Sequence, residues 1–141
     1  MFLNKFVSVG LLLLAGPGCG ESGPRRAEVK GTVQLNGRPI TEGLIRLIPI
    51  DGTAGPETGA AIIDGSYHIP LARGATVGRN RVELRSSRKT GGKIQDPTAK
   101  PGVFTDEFTE AFPANCNARS NLVREIEDGV NTLDFDIRAK Q

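Results

Sequence analysis

The sequence predicts an all-β fold, specifically a seven-stranded antiparallel β-sandwich with one short helix in the long loop before the last two strands. Apolar and polar residues alternate in several short segments, as they do in strands that bury one face. The 141 residues include 18 Gly and 9 Pro but no Trp and a single Tyr, which favours many turns around a modest core. Asn-Gly and Asp-Gly pairs, which accept the positive φ of tight hairpins, separate the segments.

The first two strands are predicted over residues 28–35 and 44–50. The first alternates cleanly and places Val29, Gly31, Val33 and Leu35 on one face; the Asn36-Gly37 turn follows it. In the second, Ile45 and Leu47 form the expected core pair.

Three middle strands are predicted over 60–63, 67–69 and 79–85. The first two flank Asp64-Gly65-Ser66, the strongest hairpin signal in the chain. In the third, Val82 and Leu84 are expected to face inward.

The last two strands are predicted over 122–127 and 132–138, on either side of Asp128-Gly129. Phe135 shares one face with Leu133 and Ile137, so it is expected in the core. Arg124 falls on the inward face of its strand, which predicts a position near a sheet edge.

The alternation of apolar and polar residues that is typical of strands stops in the segment 86–118. Residues 86–102 are polar and rich in Gly and Pro, and we predict a mobile loop there. Over 103–112, Phe104, Phe108 and Phe112 recur every four residues, which predicts a short helix with one apolar face. That face either caps an open end of the sandwich or lines an apolar groove for a ligand or partner.

The N-terminus has the layout of a secretory signal peptide over residues 1–18: Lys5, then a short apolar run, then small residues before Cys19. The run is about half of the ~20 residues that a membrane-spanning helix needs. Two outcomes are open. Cys19 is acylated and anchors the protein in the lipid bilayer, or ordinary cleavage near Gly18 releases a soluble secreted protein. Residues 19–27 form a flexible tether, 28–138 the domain and 139–141 a tail.

The net charge of +2 predicts no general attraction to nucleic acid, and the low aromatic content gives few side chains for stacking on bases. Basic residues nevertheless cluster in one part of the sequence, which makes them a candidate surface for an anionic glycan, a lipid headgroup or an envelope protein; the alternative is that they pair with acidic residues of neighbouring strands. The cluster comprises Arg79, Arg81, Arg85, Arg88 and Lys89.

The sequence offers little for catalysis. His68 is the only histidine, and its strand position predicts a solvent-facing side chain; no local signature of a Ser-His-Asp or Cys-His arrangement surrounds it. Cys, His and carboxylate residues do not occur at the spacings of a metal site, so no metal or cofactor is expected. Cys116 is interpreted as an unpaired, partly buried residue rather than a nucleophile.

Several segments resemble the carboxypeptidase regulatory-like family, whose fold is the transthyretin-like or prealbumin-like sandwich. The resemblance rests on Gly31-Thr32-Val33, the run from Asn36 to Ile40, and Asp64-Gly65-Ser66-Tyr67. Near the C-terminus, Phe112-Pro113-Ala114 and residues 131–137 resemble small exported lipoproteins of this type that are common in planctomycete bacteria. The resemblance implies a domain that is not itself an enzyme.

We therefore expect a non-enzymatic, lipid-anchored module with a binding or structural role at the cell envelope. The alternative is a soluble secreted carrier with an apolar site near Phe104, Phe108 and Phe112. The sequence predicts no oligomeric state.

Overall fold

A computed structural model describes residues 23–140 and confirms the all-β class. The predicted signal peptide and Cys19 lie outside the described residues. Within residues 23–140, helical structure is limited to two three-residue 3₁₀ turns, Leu71–Arg73 and Ala114–Cys116. The same range contains twelve strands: β1 (Arg26–Leu35), β2 (Arg38–Pro39), β3 (Glu42–Pro49), β4 (Thr58–Ile63), β5 (Ser66–Ile69), β6 (Ala75–Thr76), β7 (Gly78–Arg85), β8 (Ser87–Gln95), β9 (Phe104–Glu110), β10 (Val123–Ile126), β11 (Val130–Thr132) and β12 (Phe135–Ile137).

All seven predicted strands are present, as β1, β3, β4, β5, β7, β10 and β12. The predicted turns also form, with positive φ at Asn36 and Gly37 (51° and 78°) and at Asp64 and Gly65 (49° and 81°). Two consecutive residues with φ > 0 are the geometry that lets a two-residue loop follow the twist of its strands. Five strands were not predicted: β2, β6, β8, β9 and β11.

Ten of the strands form one curled, mostly antiparallel sheet in the order β10-β7-β3-β4-β5-β1-β11, with β2, β6 and β12 also paired to β1. The expectation of a fully antiparallel arrangement is wrong at β1, which runs parallel to β11 and β12. Val33 lies beside Phe135 in this register. β1 therefore pairs with more than two strands of the sheet, and one of its neighbours is the last strand, β12.

The concave face of the curled sheet encloses the core. The side chains that the alternation places inward are buried there, and burial of this apolar surface is the main stabilising term of such a domain. They include Val29, Val33, Ile45, Leu47, Val82, Leu84 and Phe135, each at most 3% exposed.

The link between β11 and β12 crosses close to β1 at Gly31. The Leu133 amide donates to the Lys30 carbonyl (2.8 Å), and the Tyr67 hydroxyl donates to the Leu133 carbonyl (2.7 Å). A Cβ atom on residue 31 would overlap that carbonyl group. Glycine is thus required at position 31, because the backbone of Leu133 comes too close to leave room for a side chain. Burial raises the pKa of Tyr67.

The short helix predicted over 103–112 is wrong. Residues Phe104–Glu110 form β9, which pairs antiparallel with β8, so much of the predicted loop 86–102 is also a strand. A spacing of four residues brings side chains to one face of a strand as well as of a helix, because four is a multiple of the strand period of two. The pairing with β8 decides between the two conformations.

Candidate functional site

The β8–β9 hairpin, here called the arm (residues 87–110), is separate from the main sheet. Within residues 23–140, neither of its strands pairs with any other strand, and every residue of β8 is exposed. Ile94, Val103, Phe104 and Phe108 are 45–61% exposed. A lone two-stranded hairpin is marginally stable in water, and clustered exposed apolar side chains mark interaction sites. The arm is therefore the leading candidate site.

Hydrogen bonds at the base fix the arm to the domain. The Ser86 hydroxyl donates to the Glu42 carbonyl (2.6 Å), and the Ser86 amide donates to Glu110 Oε1 (2.9 Å). The Ala111 amide donates to the Ser86 carbonyl at 2.7 Å. Phe112 follows at once and is 4% exposed in the core. These contacts hold the base of the arm, here called its root, against the domain, and β8 and β9 extend away from it.

One face of the arm, here called the phenylalanine face, carries Phe104, Asp106 and Phe108. In the cross-strand register Lys89 is opposite Phe108, and its Nζ lies 6.0 Å from the ring centroid. Lys89 and Lys93 bind the Asp106 carboxylate at 2.5 and 2.6 Å. Hydrogen bonding, to Lys89 first and then Lys93, lowers the pKa of Asp106 to about 2. An ion cluster thus lies between two exposed aromatic rings.

The predicted group Phe104, Phe108 and Phe112 is only partly brought together. Phe104 and Phe108 share the phenylalanine face, whereas Phe112 lies past the end of β9 and packs in the core. The expectation of three phenylalanines on one helical face is therefore corrected to two on one strand face.

Open grooves flank the root of the arm. One, of about 470 Å³, is lined by Phe108 with Leu44, Glu42 and Arg85. The other, of about 360 Å³, lies beside Arg88 and is lined by Leu35, Pro39 and Ile40. Both are open surface features; the second is mostly apolar, whereas the first has only Leu44 and Phe108 as large apolar side chains.

The predicted basic cluster does not form a single patch. Arg79 pairs with Asp51 (2.7 Å), Arg81 pairs with Glu83 (3.1 Å), and Arg85 lies 3.9 Å from Glu83. Lys89 pairs with Asp106 on the arm, as described above, and Arg88 is exposed on the opposite face of the arm. Pairing across neighbouring strands, the alternative expectation, therefore applies to Lys89 alone, since Arg79 pairs with a loop residue and Arg81 and Arg85 pair with Glu83 of their own strand.

Glu83 alternates with the inward-facing Val82 and Leu84, a position that by itself indicates a solvent-facing side chain. It does lie on the outer face of β7, but its side chain is only 7% exposed. Arg46 Nη1 donates to it at 3.0 Å, and Arg46 Nη2 reaches Glu57 at 2.6 Å. The pKa of Arg46 is raised, chiefly by its hydrogen bond to Glu57. We interpret this cluster as structural, since its charges bind one another.

His68 lies in an open trough of about 480 Å³ on the outer surface of β1 and β5. Its Nε2 is 2.9 Å from Glu28 Oε1, and the side chain is exposed as predicted. Asp134, in the same trough, accepts from the Thr32 amide and hydroxyl at 2.8 and 2.9 Å. No three His, Cys or carboxylate side chains within 23–140 are placed to hold a metal ion together.

Cys116 is a buried, free thiol in the second 3₁₀ turn. Burial raises its pKa, which keeps the thiol protonated and weakly nucleophilic. This placement fits a small apolar core residue.

Comparison with protein-family models, with curated proteins and with solved structures gives no match to this chain. Among residues 23–140, no helix has the length and apolarity needed to cross a bilayer.

Proposed function

We propose that this chain is a non-enzymatic module of the transthyretin-like sandwich type, exported and anchored through acylated Cys19, which binds a partner at the cell envelope with its arm. The observation that carries the proposal is the arm itself: a fixed hairpin that exposes Phe104 and Phe108 on one face and lies outside the core. A domain that needed these rings for its own stability would bury them.

Export and anchoring are supported by the N-terminal sequence. Its short apolar run is followed by three small or turn-forming residues and then Cys19, and the polar residues after Cys19 suit a tether between a membrane and a folded domain. Two acyl chains on one cysteine supply stable attachment, at about 0.8 kcal/mol per buried CH₂.

The anchor is tested by expressing the full chain in a lipoprotein-processing bacterial host and measuring the mass of the N-terminal peptide. We expect cleavage before Cys19, a diacylglyceryl mass on that residue, and recovery in the membrane fraction. Cys19→Ser is expected to move the protein to the soluble fraction. A wild-type protein that is soluble and free of acyl mass would leave the secreted carrier as the better proposal.

The binding role of the arm is tested by chemical cross-linking in intact envelopes. The variant Phe104→Ser/Phe108→Ser is expected to lose its cross-links and to keep the wild-type melting temperature. The matched control is Leu71→Ser/Val130→Ser, because these side chains are similarly exposed (57% and 60%) but lie away from the arm. Equal loss in both variants would show that exposed apolar area in general, and not the arm, produces the cross-links.

A further inference from the structure

We infer that the partner of the arm is the arm of a second copy of this chain, joined edge to edge so that β8 of one copy lies beside β9 of the next. The inference rests on the proposed function in one respect, that the arm is the binding element. It adds the identity of the partner and the geometry of the contact.

Both outer edges of the arm are open. Within the described residues, each strand pairs on one side only, so a row of backbone N–H and C=O groups on the other side is free to pair with another strand. Natural proteins protect such edges with charged side chains, Lys above all, with Pro or with bulges. Phe104–Glu110 has three acidic residues but no Lys, Pro or bulge, whereas β8 has lysines and a register shift between Lys89 and Lys93. The edge of β9 is thus the less protected template for strand addition.

The charges of β8 and β9 favour contact between the edge of β8 in one copy and the edge of β9 in another. All the charges of β8 are positive (Arg88, Lys89 and Lys93), and all those of β9 are negative (Asp106, Glu107 and Glu110). Pairing β9 with β9, or β8 with β8, would put like charges on adjacent strands, which is destabilising. Pairing β8 with β9 of a second copy puts opposite charges side by side.

Arg88 of β8 and Glu107 of β9 remain for this contact, since Glu110, which also forms no ion pair within residues 23–140, accepts from the Ser86 and Phe112 amides at the base of the arm. Asp106 already binds Lys89 and Lys93 on the phenylalanine face. Arg88 and Glu107 lie on the other face of the arm. Arg88 is the cross-strand partner of Thr109, and Glu107 shares a face with Thr109 because the two are two residues apart in β9. Among residues 23–140 these two form no ion pair, and Glu107 instead accepts from the Thr90 hydroxyl at 2.5 Å. Across the proposed contact, Arg88 of one copy can reach Glu107 of the next.

Such a contact uses two different edges, so it is heterologous. Repeated from copy to copy it gives a row or a closed ring rather than a simple two-fold dimer.

The test is sedimentation velocity of the full chain over a range of concentrations, with Cys19→Ser in every sample so that acyl chains play no part. We expect the weight-average mass to rise with concentration and to fall in high salt. Arg88→Glu and Glu107→Arg should each weaken association by about tenfold, since each replaces an attraction with a like-charge contact.

An equimolar mixture of the two variants is the decisive sample, because every contact between unlike variants pairs opposite charges again and the copies can alternate along the row. We expect the mixture to recover wild-type association, which also shows that both variants are folded. The control pair Arg73→Glu and Glu127→Arg makes the same charge changes on exposed residues away from the arm and should have no effect.

The inference is overturned if the wild-type chain stays monomeric at all concentrations, or if the mixture associates no better than the single variants. Arm-dependent binding to vesicles of neutral and anionic lipid, without self-association, would overturn it in favour of a lipid surface. Either result leaves the envelope cross-linking experiment as a separate test of the arm as a binding element.

Discussion

The guanidinium of Arg124 lies over the ring of Phe135, with its central carbon 5.0 Å from the ring centroid. Arg124 comes from β10, one end of the strand order, and Phe135 from β12, which pairs with β1. A cation over an aromatic face is attracted by the negative charge density of the ring. The contact explains how an arginine can lie on the inward side of an edge strand, and it links two separate parts of the curled sheet.

Phe135→Ala removes the ring beneath Arg124 and leaves a cavity in the core. We expect a loss of about 3–5 kcal/mol in the free energy of unfolding, which is a large share of the stability of a small domain. Urea denaturation measures it. Asp136→Asn, at the next residue and on the exposed face, is the control and should change stability little. Equal midpoints for the two variants would contradict the register of β12.

Gly31→Ala should be strongly destabilising, because the added Cβ would overlap the carbonyl group of Leu133 and push β12 away from β1. Gly23→Ala has no atom within 4 Å of the added Cβ and is the matched control. Thermal unfolding followed by circular dichroism distinguishes them. A melting temperature for Gly31→Ala as high as that of Gly23→Ala would show that the crossing at Leu133 is not close in solution.

Glu83→Gln keeps the shape of the side chain but removes the charge that Arg46 and Arg81 bind. We expect a loss of about 1.5–3 kcal/mol in the free energy of unfolding, the range for a hydrogen bond to a charged group. Glu57→Gln removes the other carboxylate of Arg46, but that side chain is 53% exposed, and the expected loss is about 0–1 kcal/mol. Urea denaturation of both variants measures the two losses. A larger loss for Glu57→Gln than for Glu83→Gln would show that Glu57 is the carboxylate that stabilises the fold through Arg46.

Asp106 should titrate near its lowered pKa of about 2, below its ordinary value of 3.8. A carboxylate with a depressed pKa in the folded state adds stability above its unfolded pKa and loses it as the pH falls through the folded one. The arm is therefore expected to loosen as the pH falls from about 4 towards 2. Carboxyl chemical shifts measured by NMR against pH give the midpoint.

Replacing both lysines that bind Asp106, as Lys89→Gln/Lys93→Gln, should move its titration up towards the ordinary value. Lys140→Gln removes a positive charge elsewhere and should leave the midpoint unchanged. A wild-type midpoint already at the ordinary value would mean that the ion cluster does not form in solution.

Local alternation was enough to predict β1, β3 and β7, because each has one face in the core and the sequence records this directly. It failed for β9, where Phe104 and Phe108 fit the helical and strand periods equally well. What distinguishes the two conformations is pairing with β8, a glycine-containing polar segment without an apolar face of its own. The pairing depends on β8 and β9 together, so the sequence of either segment alone does not predict it.

The same limit applies to the charges. The sequence showed that arginines gather near β7, but not that Asp51 and Glu83 bind them. Asp51 comes from a loop, whereas Glu83 belongs to β7 itself and its carboxylate lies between Arg81 and Arg85 on the outer face of that strand. Arg88 and Glu107 form no ion pair among residues 23–140, and they lie on the face of the arm opposite to the ion cluster of Asp106.

The central place of β1 also constrains when the domain can form. Thr32 and Asp134 are hydrogen-bonded partners 102 positions apart, so a chain that emerges N-terminus first presents β1 long before β11 and β12 exist. Until then, one edge of β1 stays open and Phe135 is missing from the core. Non-local pairing of this kind slows folding and prolongs exposure of unpaired strands. Completion of the sheet therefore waits for the last strands, and a truncation before β12 would remove a neighbour of the first strand.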